Sequence, residues 1–298
     1  ANNLAYCETI HSTNPCGEQP LPAYGACLLG SINLTQFIER PFEPDAELNL
    51  PAYEAAIATA VRFLDDVIDI SNFPLPQQRA EAQAKRRIGL GITGLADALA
   101  MCGLRFGSTE AAGRAKRWAE TLKIAAYEAS ADLAAEKGAF PLFKAKEYLA
   151  GGHARTLPES LRKQIAKAGL RNGLLTSIAP TGTISLLAGN VSSGIEPIFS
   201  VSYERKVKQA DGSTETHTVM DYAARLWRAC HGEAMPLPEV FVTVDDLQPT
   251  DHLVMQAAVQ RHIDSSISKT VNVPEDFDFA AFEAVYDKAY DLGLKGCT

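Results

Sequence analysis

The sequence predicts an α/β fold with a largely parallel sheet or barrel. Segments with helical hydrophobic spacing alternate along the chain with short apolar runs that are typical of buried strands. The 298 residues, 46% hydrophobic and 21% charged, suffice for a large core and are typical of a globular chain. The formal net charge of −8 argues against a broad nucleic-acid-binding surface and leaves room for a local anion site.

Two long helices are predicted in the first half of the chain. The first covers residues 51–70, where apolar residues recur at helical spacing: Ile57, Val61, Leu64 and Ile68. The second begins at Ser108 or Thr109 and ends at Gly138. We expect a solvated face on this second helix, carrying Lys116, Arg117, Glu120 and Lys123. Further helices are predicted over residues 217–230, 251–263 and 279–291.

Three other segments have strand character. The apolar residues 174–179 follow an Asn-Gly turn and predict a buried strand, and weaker strand patterns cover residues 196–203 and 266–273. Residues 88–96 contain the pattern G-x-G-x-x-G. A dinucleotide site requires a buried strand before this pattern, but residues 80–87 are polar and basic. We therefore interpret the glycines as a strand-to-helix packing turn, with the dinucleotide site as the alternative.

The chain begins with Ala1 and shows neither a signal peptide nor a transmembrane segment. The chain also ends directly after a predicted helix. The absence of an initial methionine and this ending together predict that the chain is a piece excised from a longer protein. Six cysteines without a CxxC pair predict a reducing, cytoplasmic compartment and no zinc site. No repeat or linker divides residues 1–298, which we treat as a single region.

The first segment that carries chemistry is residues 11–20. Pro15 favours extended geometry before it, and alternate residues of an extended segment project to one side. Asn14, Cys16 and Glu18 then present an amide, a thiol and a carboxylate on one face, a set suited to redox or nucleophilic chemistry with proton transfer. The alternative is a buried structural cysteine in a turn. Taken locally, Cys27 is typical of a small buried hydrophobe.

The second segment is residues 179–189, which we call the phosphate loop. It follows a predicted strand and opens a helix, so free N–H groups and the hydroxyls of Thr181, Thr183 and Ser185 are suited to bind a phosphate without lysine. Ordinary helix capping by one of these hydroxyls is the alternative.

Together these segments resemble the catalytic subunit of ribonucleotide reductases, most closely the adenosylcobalamin-dependent class II enzymes. Six motifs carry the resemblance, in the order of that family: N-P-C-G-E-Q-P-L at 14–21, C-L-L-G-S-I-N-L at 27–34, R-R-I-G-L-G at 86–91, P-T-G-T-I-S at 180–185, S-G-I-E-P-I-F at 193–199 and S-K-T-V-N at 268–272.

The resemblance implies a role for each site residue. Cys16 corresponds to the thiyl-radical cysteine that removes the 3′ hydrogen of the ribose. Glu18 corresponds to the base for the 3′-hydroxyl proton, and Asn14 to the amide that binds the sugar. Cys27 corresponds to one thiol of the reducing pair. The substrate phosphates are expected to bind at Pro180, Thr181, Gly182, Thr183, Ile184 and Ser185.

The fold implied is the C-terminal part of a ten-stranded α/β barrel, with residues 1–298 forming a partial catalytic barrel domain. The radical-cysteine loop then lies near 11–34 and the phosphate loop at 179–189. The chain lacks the tandem tyrosine of class I enzymes near its end, which favours adenosylcobalamin as cofactor. The implied partners are a ribonucleotide, with a diphosphate as the expected form, a thioredoxin-like dithiol and a second copy in a homodimer, without nucleic acid or membrane.

Some expected parts of such an enzyme have no counterpart in the sequence. No cysteine lies where the family has the partner of Cys27, and we interpret Cys7, Cys102 and Cys230 as structural. We therefore expect little or no turnover from the isolated chain. Two alternatives stay open: a non-catalytic nucleotide-phosphate binding module, and a cysteine hydrolase that uses Cys16 with His11.

Overall fold

A computed structural model describes residues 2–298 of the chain. Within these residues it contains eight β-strands and ten α-helices, joined by short 3-10 turns. The strands are β1 Ser12–Thr13, β2 Pro20–Leu21, β3 Leu28–Asn33, β4 Ile38–Glu39, β5 Glu47–Leu48, β6 Ile88–Thr93, β7 Ser202–Lys208 and β8 Thr214–Met220. The helices are α1 Leu50–Ile70, α2 Pro76–Lys85, α3 Leu95–Met101, α4 Thr109–Lys137, α5 Ala145–Leu149, α6 Glu159–Ala168, α7 Ile184–Leu187, α8 Tyr222–His231, α9 Pro249–Gln260 and α10 Phe279–Asp291.

The centre of the fold is a parallel pair, in which β3 runs beside β6 from Leu28 opposite Ile88 to Asn33 opposite Thr93. Two isolated parallel bridges continue this arrangement, one from Leu90 to Thr176 and one from Ile178 to Ile267. The other three strand pairs are antiparallel. An α/β architecture with a parallel centre is thus present, but the sheets in residues 2–298 do not close into a barrel.

The two long helices confirm their predictions. Helix α1 buries the predicted apolar stripe and packs against α4, β3 and β6. Helix α4 begins after Ser108, whose Oγ accepts a hydrogen bond from Ala111 N at 3.1 Å, and it ends at Gly138. One prediction about its surface is wrong, because Lys123 is buried and only 3% exposed. Burial lowers the pKa of Lys123, whose Nζ lies 3.4 Å from Thr156 Oγ1.

The glycine-rich segment is itself the buried strand β6, so the strand contains the pattern instead of preceding it. A Cβ on Gly91 would lie 2.2 Å from Ser177 O, which explains the glycine by the close approach of the neighbouring chain. Gly94, with φ +72°, is the residue before α3. The packing interpretation is confirmed, and a dinucleotide-binding turn is not formed here.

Several predicted boundaries in the second half are wrong. The helix expected over 217–230 begins only at Tyr222, because residues 214–220 pair with β7 as an exposed antiparallel hairpin and Asp221 caps the helix through Ala224 N. Residues 174–179, 196–203 and 266–273 contribute isolated bridges, not strands of regular length, apart from the start of β7. Helices α9 and α10 agree with their predictions within three residues at each boundary.

Buried ion pairs attach α1 to the residue pair before β6 and to the segment after α6. Arg86 Nε donates to Asp65 Oδ1 at 2.7 Å, and Arg171 Nε donates to Asp65 Oδ2 at 3.0 Å. Asp65 is fully buried, and Asn172 Nδ2 also donates to it at 3.0 Å. Paired and hydrogen-bonded in this way, its charge is compensated where an isolated carboxylate would be costly. Separately, no helix in residues 2–298 is both long and apolar enough to span a membrane.

Candidate active site

The segment 14–19 forms a tight turn between β1 and β2, so the extended geometry expected for it is wrong. Asn14 N donates to Gln19 O at 3.1 Å, and Asn14 Oδ1 accepts from Gln19 N at 3.0 Å. Gly17 N donates to Asn14 O, and its φ of +79° suits glycine. The amide oxygen of Asn14 therefore closes the turn, which leaves its Nδ2 group as a donor for a ligand.

Cys16 and Glu18 lie in different surroundings within this turn. Cys16 is exposed, whereas the side chain of Glu18 is buried and its Oε2 has no hydrogen-bond partner in residues 2–298. The backbone oxygen of Glu18 accepts from Ser177 Oγ at 2.9 Å and from Ser266 N at 3.0 Å. These bonds hold the turn against the parallel segments of the core.

Cys27 directly precedes β3 and is half-buried. Burial raises the pKa of its thiol; the charge of Arg87 opposes this shift, and those of Asp264 and Glu18 add to it. Cys27 therefore keeps its proton at neutral pH, and its Sγ lies 3.6 Å from Leu28 O. The effect of the Glu18 charge on this thiol indicates that the two residues lie near each other.

Unpaired polar atoms are concentrated beside these two cysteines. Besides Glu18 Oε2, both amide atoms of Gln19 and Nη1 of Arg87 are buried without a partner in residues 2–298. Gln19 Nε2 would lie 2.7 Å from a Cβ on Gly89, which places it against β6. Buried polar groups normally have partners, so this group of atoms is typical of a ligand site.

Of the three cysteines predicted to be structural, two pack against the core and one does not. Cys230 is exposed on α8, which does not fit a structural role in the core. Cys7 and Cys102 are half-buried and pack against the core, and burial raises the pKa of each thiol.

His11 is exposed, and the hydrogen bonds of residues 2–298 include none between His11 and Cys16, so the geometry does not favour the hydrolase hypothesis.

In the phosphate loop, Thr181 takes a φ of +55° and is buried. Its Oγ1 lies 2.9 Å from Thr93 Oγ1 and accepts from Gly194 N at 2.7 Å. Thr93 Oγ1 already donates its only proton to Ser192 O, so in the pair of hydroxyls Thr181 donates and Thr93 accepts. Contrary to our expectation for its side chain, the Thr181 hydroxyl is used inside the protein, where it fixes the loop.

Part of the phosphate loop borders a cavity of about 570 Å³. Gly182, Thr183 and Ser185 line it, whereas Pro180 and Thr181 do not, and Ile184 is exposed at the start of α7. The backbone N–H groups of Gly182 and Thr183 donate to no group in residues 2–298. A cavity bordered by free N–H groups and hydroxyls is chemically suited to an anion such as a phosphate.

Two carboxyl groups lie at or behind the lining of this cavity, because Asp221 lines it and Asp97 binds the lining residue Ser192. Asp97 is fully buried and accepts from Ser192 N at 2.6 Å and from Ala223 N at 3.0 Å. Burial, and then the charge of Asp97, raise the pKa of Asp221 to about 9, so Asp221 is protonated at neutral pH. The pair connects α3, the start of α8 and the segment after the phosphate loop. Sequence reasoning missed it, because the two residues are far apart along the chain.

Two motifs of the sequence meet beside the same cavity. Lys269 Nζ donates to Glu196 Oε2 at 2.5 Å, and Thr270 N donates to Glu196 Oε1 at 2.8 Å.

The whole chain, residues 1–298, matches the family model described as ribonucleotide reductase, barrel domain. The chain belongs to this family. The motifs at 193–199 and 268–272 are therefore neighbours in a ribonucleotide reductase domain.

Curated relatives agree with this assignment. The chain is 39% identical over 306 residues to a vitamin B12-dependent ribonucleoside-diphosphate reductase of Mycobacterium tuberculosis, covering 97% of this chain and 41% of the relative. For a relative of the same description in Thermoplasma acidophilum, identity is 34%, with 97% and 37% covered. A ribonucleoside-diphosphate reductase large subunit of Caenorhabditis elegans is 28% identical, with 96% and 40% covered. The chain thus spans about two fifths of the length of these relatives.

Proposed function

We propose that this chain is the catalytic part of an enzyme that reduces ribonucleoside diphosphates to 2′-deoxyribonucleotides by a thiyl-radical mechanism. The observation that carries the proposal is the exposed Cys16 at the tip of a turn whose neighbours, Glu18 and Gln19, hold unpaired buried polar atoms. The vitamin B12-dependent relatives support a diphosphate substrate and adenosylcobalamin as cofactor. Residues 1–298 would form one partial domain of a ten-stranded α/β barrel.

Each residue near Cys16 has a role in this proposal. The Cys16 thiyl radical takes the 3′ hydrogen atom of the ribose, and Glu18 Oε2 accepts the proton of the 3′-hydroxyl. Asn14 Nδ2 donates to the sugar, since Asn14 Oδ1 is already used in the turn. The 2′-hydroxyl leaves as water, and two thiols supply the two electrons and two protons for this loss and for the new C2′–H bond as they become a disulfide. Cys27 is one of these thiols, and its raised pKa keeps the hydrogen on sulfur until it is needed. Cys16 then returns the hydrogen atom to C3′, and Glu18 returns the proton to the 3′ oxygen.

Adenosylcobalamin fits the residues present in one respect. Cys16 is exposed at the tip of its turn, so a bulky cofactor can approach the sulfur directly. When bound, the cofactor supplies the radical that oxidises the Cys16 thiol. The chain's own contribution is to hold Cys16 at that position through the Glu18 backbone bonds and to place the substrate through Gly182 and Thr183.

Further parts of the proposal concern partners and compartment. A thioredoxin-like dithiol would reduce the disulfide formed by Cys27, and two copies would form a homodimer in the cytoplasm. The cysteine that pairs with Cys27 has no counterpart in this chain. We therefore expect little or no turnover from residues 1–298 alone.

The experiment compares two half-buried cysteines in the complete protein that carries these residues. Wild type, Cys27→Ser and Cys102→Ser are assayed with a ribonucleoside diphosphate, adenosylcobalamin and a dithiol, and the deoxyribonucleotide is quantified. We expect Cys27→Ser to lose multiple turnover and Cys102→Ser to retain it. Product formation by Cys27→Ser at the wild-type rate, or by wild type without adenosylcobalamin, would contradict the proposal.

A further inference from the structure

The hairpin formed by β7 and β8 adds a cation to the cavity beside the phosphate loop. Arg205 follows Tyr203 by two residues on β7, and alternate residues of a strand lie on the same face. Both residues line the cavity, as do Gly182 and Thr183 of the phosphate loop. Arg205 therefore borders the same cavity as the two loop residues with free N–H groups.

Asn190 fixes the hairpin against the phosphate loop. Its Oδ1 accepts from Tyr203 Oη at 3.0 Å, and its Nδ2 donates to Met220 O at 3.0 Å, so one side chain contacts both strands. Its backbone N donates to Ser185 O at 2.9 Å. These three bonds set the position of β7, and with it Arg205, relative to the loop.

The charges around the cavity favour an anion. Of its acidic lining residues, Glu196 is paired with the fully buried Lys269, and Asp221 holds a proton at neutral pH. Arg205 has no ion pair or side-chain hydrogen bond to any of residues 2–298. Its positive charge is therefore uncompensated at the wall of the cavity that Gly182 and Thr183 also line.

We propose that Arg205 binds the terminal phosphate of the substrate nucleotide and so determines the preference for a ribonucleoside diphosphate over a monophosphate. The inference rests on the proposed function, because it assumes a nucleotide held by the phosphate loop. Gly182 and Thr183 hold the first phosphate through their N–H groups, and the second phosphate reaches the guanidinium. A guanidinium matches phosphate geometry with two parallel hydrogen bonds, which an ammonium does not.

The test uses the complete protein that carries these residues and compares Arg205→Gln with Lys206→Gln. Lys206 is the next residue of β7, is also exposed, and lies on the opposite face, so it is a matched control for charge. Binding of CDP and CMP is measured by calorimetry, and KM and kcat for CDP by product formation. Loss of a charge-assisted contact predicts about tenfold weaker CDP binding and a similar rise in KM for Arg205→Gln. We expect its CMP affinity and kcat to stay at the wild-type level.

Arg205→Lys provides the second variant. It keeps the charge but loses the paired geometry, so its CDP affinity should lie between those of wild type and Arg205→Gln. The inference is overturned if Arg205→Gln leaves CDP affinity unchanged, or weakens CDP and CMP equally, or does no more than Lys206→Gln. Failure of the proposed function has a different signature: wild type binds CDP in an Arg205-dependent way but forms no deoxyribonucleotide.

Discussion

Thr93 Oγ1 and Thr181 Oγ1 lie 2.9 Å apart, and this hydrogen bond connects the last residue of β6 to the phosphate loop. Thr181 is β-branched and has a φ of +55°, a conformation that such residues rarely adopt. Strain of this kind persists where surrounding bonds determine the conformation, and it is concentrated at functional sites. The loop is therefore held in one shape from inside the protein, and its outer groups remain free for a ligand.

Replacing Thr181 by valine tests this connection. The Thr181→Val variant keeps the side-chain shape but removes the shorter of the two hydrogen bonds that Gly194 N donates, leaving the 3.3 Å bond to Thr93 Oγ1, at a cost of about 1 kcal/mol. We expect faster amide hydrogen exchange in the peptide that contains Gly194 and a higher KM for the nucleotide. Thr181→Ser retains the hydroxyl and should behave like wild type in both measurements. Equal exchange rates in all three proteins would contradict the role assigned to this hydroxyl.

Gly182 offers a test of the anion site that leaves the fold intact. A Cβ at Gly182 meets no atom within 4 Å, and Gly182 lines the cavity, so Gly182→Ala adds a methyl group to the proposed phosphate position. We expect an unchanged melting temperature and a raised KM. A Cβ at Gly113, within α4, also meets no atom. Gly113→Ala should raise stability by up to about 1 kcal/mol without affecting KM. A KM for Gly182→Ala equal to that of Gly113→Ala argues against the phosphate position.

The Asp97 and Asp221 pair predicts a pH dependence of stability. The folded-state pKa of Asp221 is about 9, above the value of an unfolded carboxyl, so the folded protein holds a proton that the unfolded chain releases. Between these two pKa values stability falls as pH rises, by about 1.4 kcal/mol per pH unit for one proton. Asp221→Asn keeps an uncharged group at this position at every pH. From about pH 5 to about pH 8, a window that lies between the two pKa values, its unfolding free energy should therefore decrease less than that of wild type.

Two controls distinguish this effect from general charge removal. Asp211→Asn removes an exposed carboxylate on the hairpin and should leave the pH slope as in wild type. Asp97→Asn should destabilise the protein at every pH, because both oxygens of Asp97 accept backbone hydrogen bonds and an amide group cannot replace both. An Asp221→Asn protein with the wild-type slope would show that Asp221 is ionised in the folded state.

Local patterns in the sequence were sufficient for the long helices. Periodic apolar residues and the capping residues Ser108 and Gly138 predicted α1 and α4 closely, since these signals depend only on near neighbours. The hairpin of β7 and β8 was missed because its residues are mostly exposed and lack an apolar alternation. The buried position of Lys123 depends on distant packing, which no local pattern encodes.

In the candidate site, too, local features could be predicted from the sequence and contacts between distant residues could not. Residues of the phosphate loop were found from their local composition, but the inward role of the Thr181 hydroxyl depends on Thr93, 88 residues earlier in the chain. The turn at 14–19 differs from the extended geometry expected because the Asn14 side chain bonds the Gln19 backbone, which competes with strand formation. Arg205 carried no signal in the sequence, since its proximity to the loop depends on Asn190.

The most direct test of the account is the turnover of Cys16→Ser. The complete protein that carries these residues is assayed with a ribonucleoside diphosphate, adenosylcobalamin and a dithiol, beside Cys230→Ser, which changes another exposed cysteine. Both variants should fold and melt like wild type, because neither side chain is buried. We predict that Cys16→Ser forms no deoxyribonucleotide while Cys230→Ser matches wild type. Turnover by Cys16→Ser at the wild-type rate would contradict the thiyl-radical role of Cys16.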